Sequence, residues 1–242
     1  MGALLEVSQL TKCYKNGRGI EEISFALQKG DIFGLLGPNG SGKTTTMKLL
    51  LGLLSPQGGE VKLGDYTLEE NREKVLEQIG ALIETPALYS YLTAQQNLKF
   101  AARFYQGIYE PRIEDLLKQV GLSGFKYEKV KGFSLGMKQR LGLALAFLGE
   151  PQLVVLEEPT NGMDITGMVD IREMILRENQ KAGTTFLISS HLAHELEQIC
   201  HKIGIMKEGR LIKVATLEEA LAKSGSLEQY YLDCTGEEGE GA

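Results

Sequence analysis

Apolar positions change their spacing twice along this chain. Residues 4–10 alternate imperfectly, and residues 20–27 alternate with Ile23, Phe25 and Leu27 on one face. A two-residue period predicts two half-buried strands. The stretch between them, 11–19, is rich in turn formers and carries one aromatic, Tyr14. Residues 31–36 form a short apolar run that predicts a buried strand, and 45–54 predict a helix with most of its surface covered. A turn at 55–59 leads into a strand at 60–63. From about Glu84 to Gly149 the period becomes helical, with segments at 93–104, 113–120 and 135–148. A fully apolar strand returns at 153–156, as a buried parallel sheet requires. A helix at 166–180 and a strand at 184–188 follow, the latter ending in Ser189, Ser190 and His191. Two strands, 202–207 and 211–215, flank the turn Glu208-Gly209, and 217–223 predict a closing helix. No internal repeat is visible. This order predicts an α/β fold with an N-terminal antiparallel β subdomain and a helical insert.

The chemistry concentrates at predicted strand ends. Gly37-Pro38-Asn39-Gly40-Ser41-Gly42-Lys43-Thr44-Thr45 fits the phosphate-loop pattern G-x-x-x-x-G-K-[ST] without a mismatch, between a predicted strand and a predicted helix. Glycines let the backbone wrap around phosphate oxygens, and the N–H groups of a helix start point at the anion. Lys43 is placed to reach the β- and γ-phosphates and the Thr44 hydroxyl to bind Mg²⁺. A plain glycine turn has no use for the Lys-Thr pair. The chain is therefore expected to bind a nucleoside triphosphate. Glu157 and Glu158, adjacent at the end of an apolar strand, suit Mg²⁺ and water activation, and as strand neighbours they should point to opposite faces. His191 ends another strand on the side where ligands bind in open parallel sheets.

Composition narrows the partners. The 242 residues are 43% hydrophobic, enough for a substantial core, and the net charge is -6. Part of the acidic excess lies in 236–242, expected to be disordered. No basic stripe stands out, so nucleic acid is not an expected partner. Cys13, Cys200 and Cys234 form no C-x-x-C pair, which fits reduced thiols in a cytosolic compartment. The longest apolar stretch, 141–148, is far short of a membrane span, and the N-terminus lacks the features of a signal peptide.

Taken together, these motifs resemble the ATP-binding cassette family of transport ATPases, in family order over residues 4–220. Gly37 to Thr45 resembles its Walker A loop, and Phe133-Ser134-Leu135-Gly136-Met137-Lys138-Gln139-Arg140 its signature motif. Residues 153–158 resemble Walker B, 161–164 the D-loop, and His191 the switch histidine. Tyr14 matches the aromatic that stacks on adenine, and Glu84 falls where the Q-loop glutamine usually stands. Four residues at three sites depart from the family pattern: Leu135 and Met137 in the signature, Glu84 for glutamine, and Glu157 for the metal-side aspartate. The first two variants are similar to the branch that serves bacitracin and lantibiotic exporters.

The resemblance implies a phosphate-loop NTPase core of RecA type at about 1–84 and 150–224, a helical subdomain at about 85–149 and a tail at 225–242, together one nucleotide-binding domain. It implies ATP and Mg²⁺ as ligands. Gly37, Pro38, Asn39, Gly40, Ser41, Gly42, Lys43, Thr44 and Thr45 would hold phosphate, and Thr44, Glu157 and Glu84 the metal side. Glu158 would polarise water, and His191 would hold the γ-phosphate. Ser134 and Gly136 would close over the nucleotide of a second copy in a head-to-tail homodimer or paired cassette. A separate membrane-spanning permease would dock on the helical insert through Pro86, Leu88, Tyr89 and Tyr91, holding the protein at the cytoplasmic face of the membrane. A non-transport cassette ATPase and a weakly hydrolysing regulatory cassette are the alternatives. The former usually carries two cassettes or a long coiled coil, and neither is visible in this sequence.

Overall fold

The computed structural model describes residues 2–105 and 107–236. Residues 237–242, most of the acidic end expected to be disordered, lie outside them. In chain order the first elements are β1 (Leu5–Cys13), β2 (Gly19–Leu27), β3 (Ile32–Leu36), α1 (Lys43–Leu50), β4 (Gly58–Leu63), β5 (Tyr66–Thr67), α2 (Arg72–Leu76) and β6 (Ile79–Leu82). The helical stretch holds α3 (Ala94–Ala102), α4 (Glu110–Gln119) and α5 (Leu135–Ala146). It is followed by β7 (Leu153–Glu157), α6 (Ile165–Ala182), β8 (Thr185–Ser190), α7 (Ala193–Glu197), β9 (Lys202–Lys207), β10 (Arg210–Thr216), α8 (Leu217–Ser224) and α9 (Leu227–Thr235).

The chain divides into two compact units, 1–75 with 185–242, and 76–184. In the first, β2-β1-β4-β5 make an antiparallel sheet, and β3 pairs in parallel with β8 on one side and β9 on the other. All five residues of β3 and all six of β8 are buried. That explains their unbroken apolar runs, because a strand covered on both faces has no polar side to show. β1 alternates imperfectly because its register with β2 shifts between Val7 and Leu10, and Gln9 takes a left-handed φ of 49°. Such a bulge reverses which residues face inward.

In the second unit β6 and β7 pair in parallel, with Leu82 opposite Leu156. α5 packs on β6, α3 and α4. α3 begins at a reciprocal cap in which Thr93 and Gln96 satisfy each other's backbone N–H groups. Ser134 caps α5 by accepting from Met137 N at 3.2 Å. Asp164 caps α6 by accepting from Gly167 N at 2.8 Å.

The sequence reading did not predict β5, α2, β6, α7 or α9, and two of these have a specific reason. β6 is short and weak in strand formers because its middle must be small: a Cβ on Gly80 would sit 1.9 Å from the Ala146 carbonyl oxygen. The stretch 225–235, expected as tail, instead holds α9. Ser226 caps it, Leu227 and Tyr230 are buried, and Lys207 Nζ donates to Thr235 O at 2.9 Å. Only a few apolar residues anchor this helix, so its pattern is too sparse to predict.

Candidate functional site

The first unit builds an anion cradle from main chain. β3 delivers the chain into Gly37, whose missing side chain is a packing requirement. A Cβ there would lie 2.4 Å from Met206 O and 2.7 Å from Ser41 Oγ. Gly42 precedes α1 at φ 106°, a left-handed conformation that favours glycine, and caps the helix without a side-chain hydrogen bond. The start of α1 therefore carries no side-chain cap, as suits a helix start that receives an anion. Gly40 faces open space, with no atom within 4 Å of where its Cβ would be. Ser41 Oγ is buried and has no partner among the described residues. An orphaned hydroxyl inside a glycine loop is the mark of a site shaped for an anion, since buried polar groups are otherwise paired.

Lys43 is 5% exposed and donates from Nζ to Gly37 O at 2.7 Å and Pro38 O at 3.1 Å. These bonds hold the ammonium against the loop. Thr44 and Thr45 are half-buried on the first turn of α1, and Thr46 turns its hydroxyl back onto Gly42 O at 3.0 Å. Beside the loop lies a cavity of about 460 Å³ lined by Lys12, Cys13, Arg18, Ile20, Gly40 and Gly209, among others. Tyr14 sits at the tip of the hairpin that frames this cavity, its N–H bound to Arg18 O at 2.7 Å. The neighbours Cys13 and Gly17 line the cavity; the Tyr14 ring, 37% exposed, is not part of the lining.

His191 belongs to the same unit. β3 and β8 run in register to Leu36 opposite Ser190, so His191 emerges level with Gly37, where the phosphate loop begins. Ser190 Oγ accepts from Leu192 N and bonds Glu195 Oε2, both at 3.0 Å, which pins the turn on either side of the exposed His191.

The second unit gathers the carboxylates. β6 and β7 leave their pairing together after Leu82 and Leu156, which brings Glu84 alongside Glu157. Glu157, 8% exposed, accepts the Glu84 N–H on Oε2 at 3.0 Å. The expectation that Glu157 and Glu158 are strand neighbours on opposite faces is corrected. β7 ends at Glu157, and Glu158 has a left-handed φ of 45°. The aim of Glu158 is set by a turn, closed by Asn161 N donating to Glu158 O at 3.0 Å, and not by strand alternation. Glu84 is left-handed as well, at φ 56°. Two non-glycine residues in this conformation each cost about 1–3 kcal/mol, and such strain gathers at functional sites.

Ser134 and Gly136 also lie in this unit, at the start of α5. A Cβ on Gly136 would meet nothing within 4 Å, so the helix start is open for close approach. Of the proposed docking residues, Tyr89 and Tyr91 are exposed, whereas Pro86 rests against Gly142 of α5. The sequence reading missed that Phe100 and Phe104, four apart on the outer side of α3 and its exit, extend these tyrosines into a chain of edge-to-face rings. Successive centroids along Tyr91, Tyr89, Phe100 and Phe104 are 5.9, 4.9 and 6.0 Å apart. It also missed Asn97, which is buried and clamps the Tyr89 backbone from both sides, at 2.8 and 3.1 Å.

The candidate metal residues, Thr44 in the first unit and Glu84 and Glu157 in the second, each offer a hard oxygen donor, the kind that suits Mg²⁺ rather than a softer metal. No helix among the described residues is long and apolar enough to cross a membrane.

The chain is similar to known proteins over most of its length. A family model described as ABC transporter covers residues 20–161. The bacitracin transport ATP-binding protein BcrA of Enterococcus faecalis is 41% identical over 219 residues, covering 90% of this chain and 71% of that protein. The lantibiotic transport ATP-binding protein SrtF of Streptococcus pyogenes is 38% identical over 231 residues, covering 94% of this chain and 96% of that protein. A solved ATP binding subunit of an ABC transporter superimposes with a TM-score of 0.87 at 32% identity, over 96% of this chain and 99% of that one.

Proposed function

Because the chain belongs to the ABC transporter family, we propose that it is the ATP-binding and hydrolysing subunit that energises an exporter of peptide antibiotics or related drugs. The observation that carries the reading is the glycine-built cradle of Gly40, Ser41 and Gly42 ahead of α1, with the buried, unpartnered Ser41 hydroxyl inside it. The likeness to the bacitracin and lantibiotic proteins over most of the chain supports the exporter branch.

In this reading the first unit binds. The N–H groups from Gly40 to Thr45 receive the phosphates, and Lys43 exchanges loop carbonyls for phosphate oxygens. The neighbouring cavity takes the nucleoside, with Tyr14 stacking on the base. Mg²⁺, when bound, neutralises phosphate charge; Thr44 would hold it, with Glu157 and Glu84 on the outer side. Glu158 orients and polarises the attacking water, and His191 keeps the γ-phosphate in line with it. Ser134 and Gly136 act on the nucleotide of a second copy, so that two ATP molecules close a head-to-tail dimer and hydrolysis releases it. A separate permease docks on the exposed ring chain of Tyr91, Tyr89, Phe100 and Phe104, aromatic side chains of the kind that interface cores favour. The protein then works at the cytoplasmic face of the membrane.

Mixing a Ser134→Arg chain with a Lys43→Ala chain tests the shared site. The mixed dimer regains one intact composite site of two and should hydrolyse ATP where each parent variant alone does not. A mixture no better than its components removes the head-to-tail model.

A further inference from the structure

We propose that Leu135 is a positioning residue: it clamps the 158–164 loop that carries Glu158 to the α5 helix that carries Ser134 and Gly136. The family pattern leads one to expect glycine at this position, and here a leucine side chain stands 57% exposed at the first turn of α5. Exposed leucines are common and need no explanation by themselves. This one has a specific seat. A Cβ built on Gly162 would lie 2.6 Å from Leu135 Cδ2 and 3.4 Å from Cγ, and apart from its chain neighbours no other residue comes within 4 Å of that point. The leucine therefore lies directly over the Gly162 main chain, at a contact distance only a glycine permits.

The outer part of the loop under it is exposed. Asn161, Gly162 and Asp164 are exposed, and the path is made of turns: Asn161 N donates to Glu158 O at 3.0 Å, and Met163 N to Thr160 O at 3.2 Å. Glu158 and Gly162 are both left-handed, at φ 45° and 74°. Beyond the loop, Arg140 of α5 reaches Asp170 of α6 at 2.8 Å. Two ties thus run from α5 toward this loop, the ion pair beyond its far end and Leu135 on its outer face. Removing the leucine frees the turn whose hydrogen bond sets the direction of Glu158. A glycine at 135 would leave that turn uncovered, so the substitution couples the phosphate-closing element to the hydrolytic element within one chain.

The test is hydrogen exchange on the nucleotide-free full chain, with ATP turnover measured beside it. Only the turnover arm rests on the function proposed above. Leu135→Ala keeps a good helix former at the start of α5 but removes the cover. The Asn161 and Met163 amides should then exchange about fivefold faster or more, as expected for a local opening, while amides at 143–145 in the same helix stay as they were. Turnover should fall about threefold to tenfold in kcat with the KM for ATP nearly unchanged, the pattern of a misplaced reacting group rather than lost binding. Leu135→Met, which refills the volume, should restore both readouts.

Unchanged exchange at 161 and 163 overturns the proposal, since a leucine that merely awaited a second copy would leave these amides unmoved in the isolated chain. Faster exchange with parental kcat overturns the positioning role. If the parent protein fails to hydrolyse ATP at all, the proposed function falls, and the exchange result alone decides the clamp.

Discussion

The phosphate loop of the first unit and the 156–164 segment of the second are both turns at the end of a buried strand, yet they are built from different material. The loop works through its main chain. Its groups are N–H donors, its glycines are fixed by contacts such as Gly37 against Met206 O, and one lysine completes it. The second segment works through side chains carried on a strained backbone, with Glu158 at φ 45° and, beside the strand end, Glu84 at φ 56°. A main-chain site admits almost no substitution without changing its shape. A side-chain site can exchange one carboxylate for another, or glycine for leucine, and adjust. The departures from the family pattern, at 84, at 135 with 137, and at 157, all fall in the second unit and none in the loop.

The sharpest way to break this comparison is to remove chemistry from the second segment without changing its shape. Glu158→Gln keeps size and hydrogen bonding but removes the charge that polarises water. Hydrolysis should fall by about 10²–10⁴-fold, or about 3–5 kcal/mol in the barrier, as for lost general-base assistance. ATP binding should survive, so the variant should run as a dimer on size exclusion with Mg²⁺-ATP and as a monomer without it. Parental turnover in this variant would shift the role to Glu157 or Glu84.

The converse is to change shape without touching chemistry. Gly37→Ala removes no functional group, but its methyl would enter the space held by Met206 O and Ser41 Oγ. Overpacking of this kind costs about 1–3 kcal/mol, roughly 2–12 °C in melting temperature for a chain of this size. ATP affinity should fall with it, because the same backbone carries the donors. A variant that melts and binds like the parent would mean the loop yields more readily than its contacts indicate.

The contrast also explains what could be read from the sequence. Glycine spacing followed by Lys-Thr reports a main-chain site directly, so the phosphate loop was legible residue by residue. β9 was legible too, because a buried run ends at the Glu208-Gly209 turn. The carboxylates were legible only as candidates. Strand alternation suggested opposite faces for Glu157 and Glu158, but the strand stops between them and a left-handed turn takes over, which no periodicity encodes. The contact of Leu135 with Gly162 and the clamp of Asn97 on Tyr89 join residues 27 and 8 positions apart and carry no local pattern. β6 was hidden because packing against Ala146 demands a glycine where a strand former would have announced it. α9 was hidden because it is nine residues long and anchored by few apolar groups.

The smallest expected effect concerns Glu157, where the two kinds of construction meet. Its Oε2 accepts the Glu84 N–H at 3.0 Å, so a side chain of the second segment holds a piece of main chain in place. The family's aspartate at this position would be one methylene shorter and could not span that distance from the same backbone. Glu157→Asp keeps the charge on the metal side and releases the Glu84 N–H to water, since Glu84 is exposed. A single hydrogen bond exchanged for one to solvent is worth about 1 kcal/mol, so the melting temperature should drop by about 2–4 °C. Glu157→Gln separates reach from charge: its amide oxygen can still accept from Glu84, so it should melt higher than the Asp variant while responding more weakly to Mg²⁺. If the Asp variant is as stable as the parent, the Glu84 backbone follows the shorter arm inward. The extra methylene would then be accommodated rather than required.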